Sequence, residues 1–467
     1  MKKITITISI LLASFVALPQ SDLGLPFFGD VFQSTYLNPT ARAEHTLSIG
    51  IPGLSSISVQ GIHNGFVPKS ISYWDTAIDS LIIDPKLIPD ALKEQNMLFA
   101  HAGIELLHVR LKVYNWDFWF AARQNHDVSF FYPKDLMTLA VEGNGAMVGE
   151  QIDFTPLGLN ASIYREYTVG LSTEVNKWII GGRLSLLQGL TNAYMKPTSL
   201  KISIDDDMYA HTVNADATLY TAGAPLDFVT TEDSDFFSPE LNTDKFDNTD
   251  YLIDYFTRFR NPGFALSGGV AYKFDQRTTF SFSFSDVGFI SWSDSTRHAN
   301  VTGEATFEGL DALAGYLYNR SLDVDSLLDG FVNNFDDQTF TGAYTTWLSP
   351  KFYLRANYQL AKRTNLAFQF YTTVNRKVYP AFTVGASQGL GRAFNLMLSA
   401  SFNQRTASNF GFGLLVKPGP VQIYMMADNY FFPTSKTNVL TFTNVNFRFG
   451  MNLVFGRVKT QQGLPYR

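Results

Sequence analysis

Asn444, Val445, Asn446, Phe447, Arg448, Phe449, Gly450, Met451, Asn452, Leu453, Val454, Phe455, Gly456: this run decides the fold. Val445, Phe447, Phe449, Met451, Leu453 and Phe455 share one parity and are all apolar. Asn444, Asn446, Arg448, Gly450 and Asn452 share the other and are polar or small, until Val454. Side chains alternate faces along a strand, so the run has one greasy face and one wet face. A tilted membrane strand takes roughly 9–11 residues and alternates apolar-out with polar-in. The run therefore reads as the closing strand of a transmembrane barrel, with the apolar six facing lipid.

The rest of the chain repeats the pattern. Leu107, Val109, Leu111 and Val113 alternate with His108, Arg110 and Lys112. Past Tyr114-Asn115, Trp116, Phe118, Phe120 and Ala122 alternate with Asp117, Trp119 and Arg123. Ile163–Thr173 with Lys177–Gly189, Phe264–Lys273 with Thr279–Gly288, and a dense series from Lys351 onward form further hairpins. Short turns at Glu174–Asn176, Asp275–Thr278, Lys362-Arg363, Gly389–Arg392 and Lys417–Pro420 belong on one side. Long connections near 61–98, 126–162, 190–262, 289–349 and 430–441 belong on the other. Bacterial barrels keep short turns in the periplasm and long loops outside. With Thr46–Gln60 as the first strand, bent at Pro52-Gly53, the expectation is an all-β antiparallel transmembrane barrel of about fourteen strands closing near Thr46 onto Phe455. Its long extracellular loops are expected to hold short helices, one or two of them within Asp75–Leu98, where Ile78, Leu81 and Ile82 have helical spacing, and others within Phe307–Phe335.

Composition agrees. Among 467 residues there are 41 Phe and 22 Tyr, residues that favour strands and membrane interfaces, and only 17% of the chain is charged. The net charge of −6 argues against a nucleic-acid partner. The absence of cysteine excludes disulfides, thiolate metal sites and a Cys nucleophile. Lys2 and Lys3 followed by the apolar Ile4–Val16 read as a secretory signal, cut within Ala17–Ser21. The expected organisation is a signal peptide at 1–20, a periplasmic plug or lead-in at 21–45, the barrel at 46–456 and a periplasmic tail at 457–467. In the plug segment Phe27, Phe28, Phe32, Tyr36 and Leu37 are too apolar to leave in water, and Asn38-Pro39 supplies a rigid turn into the first strand.

Four elements carry a family resemblance: Tyr36-Leu37-Asn38-Pro39-Thr40, Tyr167–Leu171 with Ile180–Leu184, Asp286–Trp292, and Phe447–Gly456. With them the chain resembles the FadL-type transport barrels, and more closely a family of Bacteroidota outer-membrane proteins without an assigned activity. The resemblance places Asn38-Pro39 in an N-terminal hatch, with Thr40 where the FadL group has Ala. It implies release of apolar cargo sideways through a strand kink. A terminal Phe is common in such barrels, whereas this chain continues to Arg467.

No catalytic pattern accompanies the barrel. The seven histidines show no metal spacing, no G-x-S-x-G occurs, and Asp205-Asp206-Asp207 lacks the EF-hand pattern and reads as a solvated acidic loop. An enzyme, a cofactor and a metal are not expected. The candidate lumen-facing set is Arg110, Lys112, Asp117, Arg123, Arg183, Arg355, Asp428 and Arg448. These charges either pair for stability or guide a polar or amphipathic solute. Two functions stand open for a barrel in the bacterial outer membrane, surrounded by lipid. One is uptake of a small hydrophobic or amphipathic ligand. The other is a structural barrel anchoring a protein partner through its loops. A continuous apolar pocket beside the plug favours the first, and a filled lumen with an apolar loop patch favours the second.

Overall fold

A computed structural model describes residues 24–28, 30–143, 145–206, 210–223, 226–231, 234–241, 248–307, 335–391, 393–403, 409–428 and 444–457. The signal segment, most of Phe307–Phe335, the connection at 430–441 and the tail from 458 lie outside the described residues.

Fourteen antiparallel strands close on themselves. In order they are His45–Gly50 continued by Ile57–His63, Gln95–Val113, Trp116–Pro133, Gly158–Val175, Trp178–Met195, Pro262–Lys273, Thr278–Trp292, Tyr344–Trp347 continued by Lys351–Ala361, Thr364–Asn375, Lys377–Leu390, Phe394–Asn403, Asn409–Val416, Val421–Asp428 and Asn444–Arg457. Closure is direct: Leu47 pairs with Phe455 and Ile49 with Leu453, while the same first strand pairs with the second through Leu47 and Leu111.

The two parities separate as a barrel in lipid requires. Val109, Leu111, Phe118, Phe120, Val169, Leu171, Phe282, Leu354, Phe368, Phe412, Phe447 and Phe455 are exposed on the outside. The alternating Arg110, Asp117, Thr168, Ser185, Ser283, Gln369, Thr383, Gln422, Asn446 and Asn452 are buried within. So broad an apolar exterior is suited to hydrocarbon, and a closed ladder leaves no strand edge unbonded there. No helix among the described residues is long and apolar enough to cross a membrane.

Short turns gather at one end. At Asp275 the carboxylate accepts from the backbone N–H of Arg277 and Thr278, both at 2.7 Å, which fixes the turn and holds the carboxyl below its ordinary range. The opposite end carries the long connections, with two departures. Strands nine and ten are joined there by Arg376 alone, in a left-handed conformation at φ 56°. The strands are also longer than their membrane portions. Trp116–Pro133 and Gly158–Val175 have 18 residues each, so the expected connection at 126–162 shrinks to 134–157. The expected loop at 190–262 likewise contains Ser199–Ile204 and His211–Ala222, and the latter pairs with Thr296–Phe307 to carry the sheet beyond the barrel rim.

The helix expected around Ile78, Leu81 and Ile82 is a hairpin. Ser72–Asp75 pairs with Ser80–Ile83. Asp79 takes a left-handed φ of 47°, which reverses the chain where a helix would have had to continue. Short helices do occur nearby and elsewhere in the loops, at Ile88–Ala91, Lys134–Glu142 and Thr249–Thr257.

Pro52-Gly53 interrupts the first strand. Between the paired residues Ile49 and Ile57 stand seven residues, Gly50–Ser56, opposite only three on the closing strand, Gly450–Asn452. The surplus folds into a turn, with Gly53 at φ 72° and Ser55 N–H donating to Ile51 O at 2.8 Å. Proline cannot donate to the ladder, and the turn absorbs its missing bond.

Candidate functional site: a lumenal cavity above the N-terminal segment

Residues 24–28 and 30–44 lie within the lumen, since they touch inward side chains from strands all round the barrel. Leu25, Phe27, Phe28, Val31 and Leu37 pack with Tyr353, Tyr371, Met397, Leu415, Tyr424 and Met426 in one buried cluster. Phe32 and Tyr36 pack with Trp119 and Ala121 on the other side. Two short 3-10 turns, Leu25–Phe27 and Phe32–Tyr36, give the segment its shape. Asn38 Oδ1 accepts from the Thr40 N–H at 3.0 Å and Oγ1 at 2.7 Å, which sets the turn at Pro39. The segment reaches the short-turn end, where Arg42 donates to Asn115 O at 2.8 Å and Asp30 meets Lys417.

Polar contacts hold the same segment. Gln33 Nε2 donates to Ser55 O and to Glu105 Oε1, both at 3.0 Å, and Tyr36 Oη donates to the other Glu105 oxygen. His108 Nδ1 lies 2.5 Å from Glu105 Oε1, and its Nε2 lies 2.9 Å from Ser48 Oγ. Arg183 donates to Tyr36 O at 2.8 Å and to Asp286 Oδ1 at 2.7 Å. A buried carboxylate requires such partners, and Glu105 is 1% exposed.

Above Tyr36 and Leu37 opens a cavity with two unlike walls. Tyr353, Tyr371, Tyr379 and Ala381 line one side and continue the apolar cluster beneath. The other side is ionic. Arg123 pairs with Glu166, Asp286 bridges Arg183 and Lys351 at 2.7 and 2.6 Å, and His101 Nδ1 lies 2.6 Å from Asp127. Lys93 and Arg448 complete a lining of five cationic side chains against three carboxylates. The Arg123 guanidinium lies 3.8 Å from the centre of the Tyr36 ring, so the cavity floor is held by the cavity wall.

Of the residues singled out from sequence, Arg110, Asp117, Arg183, Asp428 and Arg448 are buried on the inner face, and Lys112, Arg123 and Arg355 are half-buried there. Only Arg123, Arg183 and Arg448 reach the cavity. Arg110 and Asp117 sit lower, joined at 3.3 Å, with Arg42 2.8 Å from Asp117. Arg355 lies over Phe27 at 5.0 Å. Phe27, Phe28, Phe32, Tyr36 and Pro39 are buried and Asn38 nearly so. Phe447 and Phe455 are exposed on the outer face, with Phe449, Met451 and Leu453 half-covered beside them, while the Val445 side chain lies outside the described residues. Glu105, Glu166, Asp286 and Lys351 carry the site's ionic pairs, although the strand pattern does not single them out. Glu105 sits at a bulge before Leu107, where the parity established further along the strand breaks. Asp286, at φ 62°, is part of a second bulge, where Ser285 and Asp286 stand opposite Ser267 alone.

Among the described residues no group of acidic or histidine side chains has the arrangement of a metal site. No curated protein sequence matches the chain. Several solved structures are similar in form, three of them as follows. The toluene transporter TbuX of Ralstonia pickettii has a TM-score of 0.42 at 7% identity, over 91% of this chain and 94% of that one. The toluene transporter TodX of P. putida gives 0.43 at 7% identity, over 91% and 95%. A Pseudomonas aeruginosa FadL homologue gives 0.39 at 9% identity, over 94% and 98%. Similarity of this degree says nothing about cargo. Sequence membership is plainer: with residues 39–428 matching its profile, the chain belongs to the family of unknown function DUF5723.

Proposed function

We propose that the barrel lies in the bacterial outer membrane and takes up a small amphipathic molecule, with residues 24–44 serving as its plug. The observation that carries this reading is the two-walled cavity. Tyrosine rings on one side offer apolar contact to the body of a solute. The Arg123, Arg183 and Lys351 cations with their carboxylates, on the other side, offer charge and hydrogen bonds to its head group. A wholly apolar solute would displace water from that ionic wall and offer it no partner in return, which argues for an amphipath over a hydrocarbon. The test is uptake into proteoliposomes of a phenyl-substituted carboxylate beside glucose. The carboxylate should enter faster through the barrel, and equal or absent uptake of both contradicts the reading.

A second reading, a barrel that anchors a protein partner through its long loops, draws support from the packed lumen around Phe28, Met397 and Tyr424. It expects no solute flux with or without the plug, and copurification of one stoichiometric protein from the native envelope.

A further inference from the structure

Strands nine and ten meet in a hairpin whose tip runs from Val374 to Pro380. Pairing of the ninth with the eighth ends at Thr373 with Lys351, apart from a Val374 N–H to Pro350 O bond at 3.0 Å. Within the tip Val374 faces Val378 and Asn375 faces Lys377, and Pro380 has no N–H to offer the ladder.

The tip reaches across the barrel. Asn375 Nδ2 donates to Ser129 Oγ at 3.0 Å, and Arg376 Nη1 donates to Pro156 O at 3.1 Å. The Arg376 guanidinium also lies 4.4 Å from the centre of the Phe131 ring. Ser129 and Phe131 are on the third strand and Pro156 leads into the fourth, six strands away from the ninth and tenth around the wall. Gly158 receives the guanidinium: a Cβ there would overlap Arg376 Nη2. Ser129, Asn375, Thr373 and Tyr379 all line the cavity, so the crossing lies over the same space whose floor is Tyr36.

We propose that the tip 374–380 is a strap closing the long-loop mouth of the cavity, and that Arg376 is the residue that holds it shut. With the plug below and the strap above, the cavity is a chamber between two closures. Its purpose rests on the transport reading, while its test needs no cargo. Backbone carbonyls and one ring face hold Arg376, and among the described residues no carboxylate pairs with it. Such a bond is reversible, and competing water or a solute's acceptor group can release it.

The chain has no cysteine, so Ser162→Cys places a single thiol in the cavity wall. Labelling of that thiol by a bulky, membrane-impermeant maleimide added to intact cells reads how open the mouth is. Arg376→Ala and Gly158→Leu, which attack the contact from its two sides, should each speed labelling severalfold, with the barrel still folded by its heat-modifiable migration. Separately, Ser129→Cys with Asn375→Cys should be bridged by a short bis-thiosulfonate reagent in cells, and adding Arg376→Ala should lower the yield. Unchanged labelling in both folded variants, or failure of the thiol pair to bridge, overturns the strap. A barrel that labels faster yet carries no solute keeps the strap and removes the transport reading.

Discussion

Gln33 of the N-terminal segment and Asn452 of the closing strand exchange side-chain amide bonds, Nε2 to Oδ1 at 3.2 Å and Nδ2 to Oε1 at 3.1 Å. Asn452 also donates to Gln422, whose own amide donates to Asp30 O at 3.0 Å. The segment and the barrel's seam are thus one hydrogen-bonded unit. Gln33→Leu leaves Asn452 and Glu105 each short of a buried partner, a loss of about 1–3 kcal/mol. It should appear as a lower urea midpoint in lipid vesicles and faster protease cleavage of the segment. An unchanged midpoint with unchanged cleavage would show that the contact contributes nothing.

The segment's aromatic end depends on a missing side chain. A Cβ at Gly413 would overlap the Phe28 ring. Gly413→Val should therefore expel Phe28 and raise protease access to residues 24–36, while the barrel keeps its heat-modifiable migration. If Phe28 stays protected in the variant, the packing described between plug and wall is wrong.

On the outside, Phe449 pairs with Ile57 and Met425 on the apolar face. Phe449→Arg is expected to cost about 2–4 kcal/mol near the bilayer midplane. Phe449→Leu, which stays apolar, should cost much less. Asn446 offers no tolerant comparison, because it is fully buried and donates to Asp428 at 2.9 Å. Equal effects of the two Phe449 substitutions on folding into vesicles would contradict a lipid-facing position.

Arg183 joins the N-terminal segment, the wall and the cavity, and only a guanidinium spans Tyr36 O, Ser267 Oγ and Asp286 at once. Arg183→Met removes one partner of a buried pair, for which a loss of about 3–5 kcal/mol is usual. Lys351 still neutralises Asp286, so the lower end of that range is expected. The check is equilibrium unfolding of Arg183→Met beside Arg183→Lys, whose restored positive charge should recover part of the loss. No recovery would mean that the Asp286 charge is not the source of the cost.

Parity alone carried the barrel: runs such as Phe447–Phe455 and Val109–Val113 state which face is wet, and a closed sheet follows from their number and turns. Parity fails where a strand bulges. Leu106 is the extra residue at the bulge beside Glu105, and counting back from Leu107 misjudges the buried carboxylate that ties Gln33, Tyr36 and His108 together. Periodicity failed at Ile78, Leu81 and Ile82, where helical spacing coexists with a left-handed Asp79. The strand ends were lost for another reason. Beyond the membrane, residues such as Asn125–Ser129 need no apolar face, so the sheet continues after its hydrophobic signal stops. The ionic pairs of the cavity join residues as distant as Arg183 and Asp286, and only the pairing of their strands on either side of the sixth brings those together.

The most direct test of a lumenal plug is the conductance of the barrel without it. With the upper closure loosened by Arg376→Ala in both chains, planar bilayers should show larger and more frequent open-channel currents for a chain lacking residues 22–36 than for the full-length one. Both should fold to the same heat-modifiable form. Identical small currents from both chains would contradict the account, because residues 24–36 would then not be what closes the lumen.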